Sequence, residues 1–96
     1  MPFVYLLTCR GGSLYAGAAV DLARRLAEHQ AGRASRYTRS RLPVTIAWSS
    51  EVESWSEALK EEARIKRLTR AAKLALIAAA KPARRGAPRG RPKKSR

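Results

Sequence analysis

The sequence predicts a small α+β fold, a three-stranded antiparallel sheet with flanking helices in the order strand, strand, helix, strand, helix, helix. Three observations carry this. Two short apolar β-rich segments sit either side of a Gly-Gly pair at the start of the chain, one further β-rich run follows a proline near the middle, and three stretches have helical periodicity with capping residues of their own. So few strands, led by a hairpin, argue for a small layered unit rather than a wound parallel sheet.

Each element has its own justification. Residues 3–9, "FVYLLTC", are apolar and β-rich, and 14–18 resemble a partner strand, with "RGGS" supplying glycines for a turn with positive φ. Asp21 stands where an N-cap belongs ahead of "LARRLAEHQA", and Gly32 follows as a C-terminal stop. Pro43 closes a basic loop, after which "VTIAWS" reads as the third strand. Ser54 and Glu57 have capping-box spacing before "ALKEEARIKRL", and Thr69 can cap a last helix, "RAAKLALIAAA", ending before Pro82.

At 96 residues the chain has room for one domain and a modest core. It carries 21 Lys and Arg against 7 Asp and Glu, a formal net charge of +14, which makes a polyanion the expected partner. No apolar run reaches the length of a spanning helix and no signal peptide is visible, so the expectation is a cytoplasmic, nucleoid-associated protein with no membrane partner. One cysteine, Cys9, forms no internal disulfide and suits a buried strand position, and one cysteine with one histidine cannot build a zinc cluster. From Lys81 the segment "KPARRGAPRGRPKKSR" holds 8 Lys and Arg and no acid, and reads as a disordered basic tail. The expected division is a folded domain over 1–80 and a tail over 81–96.

Periodicity then selects particular polar groups. Leu22 and Leu26 define the buried stripe of the first helix, with Arg25 and His29 at or beside its edge and Arg24 and Glu28 pointing away. An inward guanidinium either snorkels over apolar surface or meets an anion. On the next helix Trp55, Ala58, Leu59 and Ile65 share a face from which Glu62 projects, while Glu61 does not. A carboxylate there is paired, protonated or bound to a metal. Pairing to Lys66, four residues on, is the plain structural reading.

The inward polar set is thus Tyr5, Tyr15, Arg25, His29 and Glu62. The arrangement resembles the GIY-YIG nuclease domain: "FVY", ending in Tyr5, stands for the first motif and "YAG", from Tyr15 to Gly17, for the second. "DLARRLAEH" is similar to that family's arginine helix, with Arg25 at the arginine position and His29 a turn later, and "ALKEEARIK" to the segment bearing its glutamate, at Glu62. The likeness extends from about residue 3 to 77 and is to the small single-domain bacterial members.

That resemblance implies hydrolysis of DNA phosphodiesters by water with one divalent metal, Mg2+ or Mn2+. It implies Glu62 as metal ligand, Arg25 as stabiliser of phosphate charge, His29 in the catalytic set, and a tyrosine that helps activate the water. A tyrosine base at neutral pH needs a nearby cation to favour the phenolate, with Arg25 and a Glu62-bound ion as the sources. Magnesium prefers oxygen and keeps several waters, so one carboxylate plus a substrate phosphate can suffice.

The hairpin leaves an alternative open. A two-residue loop at Gly11 and Gly12 would put Tyr5 and Tyr15 on opposite faces, whereas an odd-length loop or a bulge would put them on one. The loop "GRASRYTRSR" interleaves Arg33, Arg36, Arg39 and Arg41 with Tyr37 and reads as a phosphate-binding loop with one stacking face, to which Lys66 is added as a further DNA contact. In the tail "PRGRPKK" resembles an AT-hook, which implies contact of Arg89, Arg91, Lys93 and Lys94 with the minor groove of A·T-rich DNA.

The leading expectation is a metal-dependent endonuclease acting on branched or damaged DNA in repair or recombination. The alternative is a non-catalytic DNA- or RNA-binding module on the same fold, which has no need of an inward acid near phosphate.

Overall fold

The computed structural model describes residues 1–80; the basic segment 81–96, with its AT-hook-like stretch, lies outside the described residues. Three strands, β1 (Phe3–Thr8), β2 (Leu14–Ala19) and β3 (Thr45–Glu51), form an antiparallel sheet in the order β2-β1-β3. The leading strand is therefore the central one, which suits its nearly unbroken apolar sequence.

Helix α1 (Leu22–Gln30) covers one face of the sheet with Leu22 and Leu26, against Tyr5, Leu7, Cys9 and Ala19. On the other face Ala58 and Ile65 of α3 (Trp55–Lys66) and Leu76 and Ile77 of α4 (Arg70–Ala80) pack on Val4, Leu6 and Ala16. Strand alternation divides the two sets: odd positions of β1 face α1 and even positions face α3. Val4, Leu6, Leu7, Val44, Ala58 and Ile65 have no exposed surface, and together they form the centre of both layers.

The caps form as their chemistry predicts. Asp21 accepts from the Arg24 amide at 3.0 Å, Ser54 from the Glu57 amide at 3.1 Å and Thr69 from the Ala72 amide at 3.1 Å. At the end of α1 the amide of Gly32 bonds to the His29 carbonyl and that of Arg33 to the Glu28 carbonyl, a Schellman pair that needs the positive φ of Gly32, +79°.

Two features go beyond the expected order. The basic loop contains a one-turn helix, α2 (Arg36–Arg39), capped by Ser35, whose hydroxyl accepts from the Tyr37 amide at 3.1 Å. The apolar face of α3 is also narrower than its periodicity suggests. Ala58 and Ile65 are buried, but Trp55 and Leu59 are each 45% exposed. Helix α3 packs on β2 and β1, and β2 is an edge strand, so the sheet ends before it can cover that flank of the helix.

Candidate active site

The hairpin connection decides which phenols share a face. Leu14 pairs with Thr8, Tyr15 with Leu7 and Gly17 with Tyr5, so the loop is the five residues from Cys9 to Ser13 rather than two. Arg10–Gly12 form a 3-10 turn, with Gly11 and Gly12 at φ +88° and +90° and the Cys9 amide bonded to the Ser13 carbonyl at 2.9 Å. With that odd count Tyr5 and Tyr15 both point toward α1.

Tyr5 is 2% exposed and lies across the backbone of its partner Gly17, where a Cβ would come within 2.5 Å of its Cζ and hydroxyl. That hydroxyl is 3.0 Å from Nε2 of His29, which is 1% exposed. Nδ1 of His29 is 2.8 Å from Oγ1 of Thr38, a fully buried residue of α2, whose hydroxyl in turn donates to the Ser35 carbonyl at 3.3 Å. The result is a buried hydrogen-bonded chain from β1 through α1 to α2. Tyr15 packs edge-on to the His29 ring at 5.4 Å and stacks with Tyr37 at 5.7 Å, and the Arg41 guanidinium lies 3.9 Å above the Tyr37 ring.

The electrostatics follow from burial. Desolvation pushes the Tyr5 phenol far above its ordinary 10.0, the Tyr15 phenol adds to that rise, Arg25 opposes it, and the carboxylates of Glu62 and Glu28 reinforce it. Burial holds His29 below its ordinary 6.5, with Arg25 acting in the same direction and Glu28 against. Desolvation outweighs Arg25, so at neutral pH Tyr5 is a phenol beside a neutral imidazole.

Arg25, Glu28 and Glu62 are the charged groups whose fields reach the Tyr5 hydroxyl. Arg25 is less buried than its helical position suggests, with a side chain 40% exposed and a loose contact to Glu28 at 3.3 Å. It lines an open cleft of about 360 Å³ with Ala19, Val20, Arg24, Glu28 and Trp55. Glu62 has a side chain 20% exposed and pairs with Lys66 at 3.1 Å, so the simple i,i+4 reading is realised. Glu61 forks onto Arg64 at the surface, at 2.9 and 3.0 Å.

Among the described residues no three His, Cys, Asp or Glu side chains converge as a metal cage. A hard carboxylate, Glu62, with a second, Glu28, whose charge also acts on the phenol, fits a magnesium-type ion that keeps its waters and takes its remaining oxygens from a phosphate. It does not fit a preformed zinc centre.

The basic candidates divide by geometry. Arg33, Arg36 and Arg39 are exposed, form no ion pair among the described residues, and border an open hollow of about 500 Å³. Arg41 is tied down, donating to the Tyr37 carbonyl and the Ser40 hydroxyl at 3.0 Å each. Tyr37, 37% exposed, already has Tyr15 and Arg41 against its ring, which leaves it less of a free stacking face than its loop position suggests. Arg89, Arg91, Lys93 and Lys94 lie outside the described residues. Thr38 and Glu28 were not singled out by sequence. The available sign for Thr38 was a lone hydroxyl three residues after Ser35, a spacing that fits one capped turn.

Residues 1–75 match the family described as the GIY-YIG catalytic domain. A UPF0213 protein of Cupriavidus pinatubonensis is 49% identical over 76 residues, covering 79% of this chain and 84% of the relative. One from Halobacterium salinarum is 47% identical over 77 residues, covering 80% of this chain and 100% of the relative. The solution NMR structure of a UPF0213 protein from Bacillus halodurans superposes with a TM-score of 0.54 at 35% identity, covering 82% of this chain and 85% of that one. No helix of the described residues is long and apolar enough to cross a membrane.

Proposed function

The chain belongs to the GIY-YIG family, and on that premise we propose that it is a divalent-metal-dependent endonuclease hydrolysing DNA phosphodiesters. The observation that carries the reading is the buried Tyr5, His29, Thr38 chain, placed where the charges of Arg25 and Glu62 reach the Tyr5 hydroxyl. A protein that only bound nucleic acid has no need of an inward carboxylate whose charge acts on that phenol.

Arg25 meets the phosphate and opposes the charge that grows on it. Glu62 would hold Mg2+ or Mn2+, and the ion when bound supplies Lewis-acid polarisation of the phosphate. As water oxygen bonds to phosphorus, the water's proton passes to Tyr5 Oη while the Tyr5 proton passes to His29 Nε2, so a free phenolate never forms. The bond from phosphorus to the leaving sugar oxygen breaks, and that oxygen takes its proton from solvent. His29 then returns its proton through Tyr5. Arg33, Arg36 and Arg39 supply phosphate contacts that position the strand without reading its sequence.

One observation favours a non-catalytic binding module, namely that Lys66 already holds the Glu62 carboxylate at 3.1 Å. Cleavage of labelled linear, flap and four-way-junction DNA with Mg2+ or Mn2+ separates the two readings, with binding measured in parallel. The nuclease reading expects cutting by the wild type and, for Glu62→Gln, unchanged binding without cutting. A wild type that cuts nothing, with Glu62→Gln binding as tightly or more tightly, overturns it. A chain ending at Lys81 tests the tail; the expected result is weaker binding with cleavage retained.

A further inference from the structure

We infer that Thr38 is a positioning residue that locks His29 in the tautomer able to take the Tyr5 proton. The inference rests on the proton route proposed above, but its geometry stands apart from it.

A neutral imidazole carries one proton, and which nitrogen bears it is set by the partner of the other. His29 has two partners and no exposed edge, since Tyr5 Oη faces Nε2 at 3.0 Å and Thr38 Oγ1 faces Nδ1 at 2.8 Å. A threonine hydroxyl has one proton to give, and that of Thr38 goes to the Ser35 carbonyl one turn back in α2. Toward His29 its oxygen therefore accepts, Nδ1 bears the hydrogen, and Nε2 is left as an acceptor aimed at the Tyr5 hydroxyl.

The opposite assignment fails on donors. If Nε2 bore the proton and donated to Tyr5, the Tyr5 hydrogen would have no acceptor in a pocket where His29 is its sole hydrogen-bond partner among the described residues. The Ser35 carbonyl would lose nothing, because it also accepts from the Arg39 amide at 2.9 Å. Only the Nδ1–H form pairs every buried donor.

The lock also persists through the transfer. When Nε2 takes the Tyr5 proton, the imidazolium still donates Nδ1–H to Thr38, so the ring does not need to turn and the same proton can return. Helix α2 is what makes this possible. Its single turn brings Thr38 inward while Arg36 and Arg39 on the same turn face solvent.

His29 is the only histidine in the chain, so its two ring nitrogens can be read without assignment by long-range nitrogen-proton NMR of the uniformly labelled full chain at mildly alkaline pH. The expected wild-type spectrum has a pyrrole-type Nδ1 and a pyridine-type Nε2. Thr38→Val should move the two nitrogen shifts toward each other as the tautomers mix, and Thr38→Ser should restore the wild-type pattern. In the cleavage assay Thr38→Val should lose at least about tenfold in kcat with little change in KM or DNA affinity, and Thr38→Ser should recover most of it. An Nε2–H wild type, or a Thr38→Val protein with an unchanged tautomer, overturns the assignment, as does equal kcat loss in the serine and valine variants. If Thr38→Val does not fold, the wild-type and Thr38→Ser spectra still decide the tautomer. If the wild type cuts no DNA while the spectra behave as expected, the nuclease reading fails and the positioning of His29 by Thr38 stands.

Discussion

Replacing Gly17 by alanine tests why a glycine follows Tyr15 and Ala16. The added Cβ would lie 2.5 Å from both Cζ and Oη of Tyr5 and 2.9 Å from Cε1. A ring that is 2% exposed and hydrogen-bonded to His29 cannot yield by a small rotation, so the phenol must leave its place. Overpacking of this kind costs about 1–3 kcal/mol, and leaving buried Nε2 without its donor costs about as much again, giving roughly 2–5 kcal/mol in all. For a domain of this size that lowers Tm by at least about 10 °C. Thermal unfolding followed by circular dichroism reads the loss directly. Tyr5→Ala removes the obstacle, so in that background Gly17→Ala should cost under about 1 kcal/mol, and the cycle should be strongly non-additive. If Gly17→Ala unfolds within about 3 °C of wild type, or if its cost is the same with and without the Tyr5 ring, the close approach is not what the glycine serves.

Stability should fall on both sides of neutrality for separate reasons. His29 has its folded pKa below the ordinary 6.5, so the unfolded chain binds the proton first; its contribution is full above about 6.5 and is lost as pH falls toward the lower folded value. Tyr5 has its folded pKa above 10.0, so its contribution is full below that value and declines as pH rises through it. Urea unfolding of wild type and His29→Gln should show their stability difference narrowing from about pH 7.5 to 5, and a constant difference would contradict the depressed histidine. Arg36→Ala and Arg39→Ala should each lower the slope of log binding constant against log salt by about 1, measured by fluorescence anisotropy on DNA, and an unchanged slope would remove these side chains from the phosphate-binding surface.

What could be read in advance was what depends on local chemistry. Asp21, Gly32, Ser54 and Thr69 act within one turn of themselves, and each performs the capping or stopping role that its side chain or lack of one suggests. The central place of β1 follows similarly from a run without polar interruption. The common face of Tyr5 and Tyr15 depended on a loop count, and Cys9 read as the end of the first strand although it belongs to the turn. Helix α2 has no apolar period in "RYTR"; Ser35 caps it and Thr38 finds a buried hydrogen-bond partner in His29, nine residues earlier. Periodicity placed Trp55 and Leu59 on the face of Ala58 but could not show that the sheet stops short of them. Arg25 could be foreseen as a cation near a tyrosine, whereas which tyrosine it faces and how deeply Tyr5 is buried depend on the packing of α1 on the sheet.

The hairpin connection from Cys9 to Ser13 closes the Thr8–Leu14 pair, and that pairing settles which side chains of β2 reach α1. Of the residues in this connection Arg10 and Gly11 face solvent and can change where the positive φ of Gly11 is kept, whereas Cys9 is 3% exposed and belongs to the core. The loop's length can change where another turn still closes the Thr8–Leu14 pair, since residues directly opposite each other share a face; a slip of the pairing by one residue is what turns β2 over against β1. A one-residue slip of β2 would carry Tyr15 to the side of Val4, Leu6 and Ile65, bring Ala16 toward His29, and put a side chain in place of Gly17 beneath the Tyr5 ring. In a set of natural or engineered variants this loop should therefore change in length wherever the Thr8–Leu14 pair is kept, and the pairing that sets Tyr15 against Leu7 and Gly17 against Tyr5 should stay fixed.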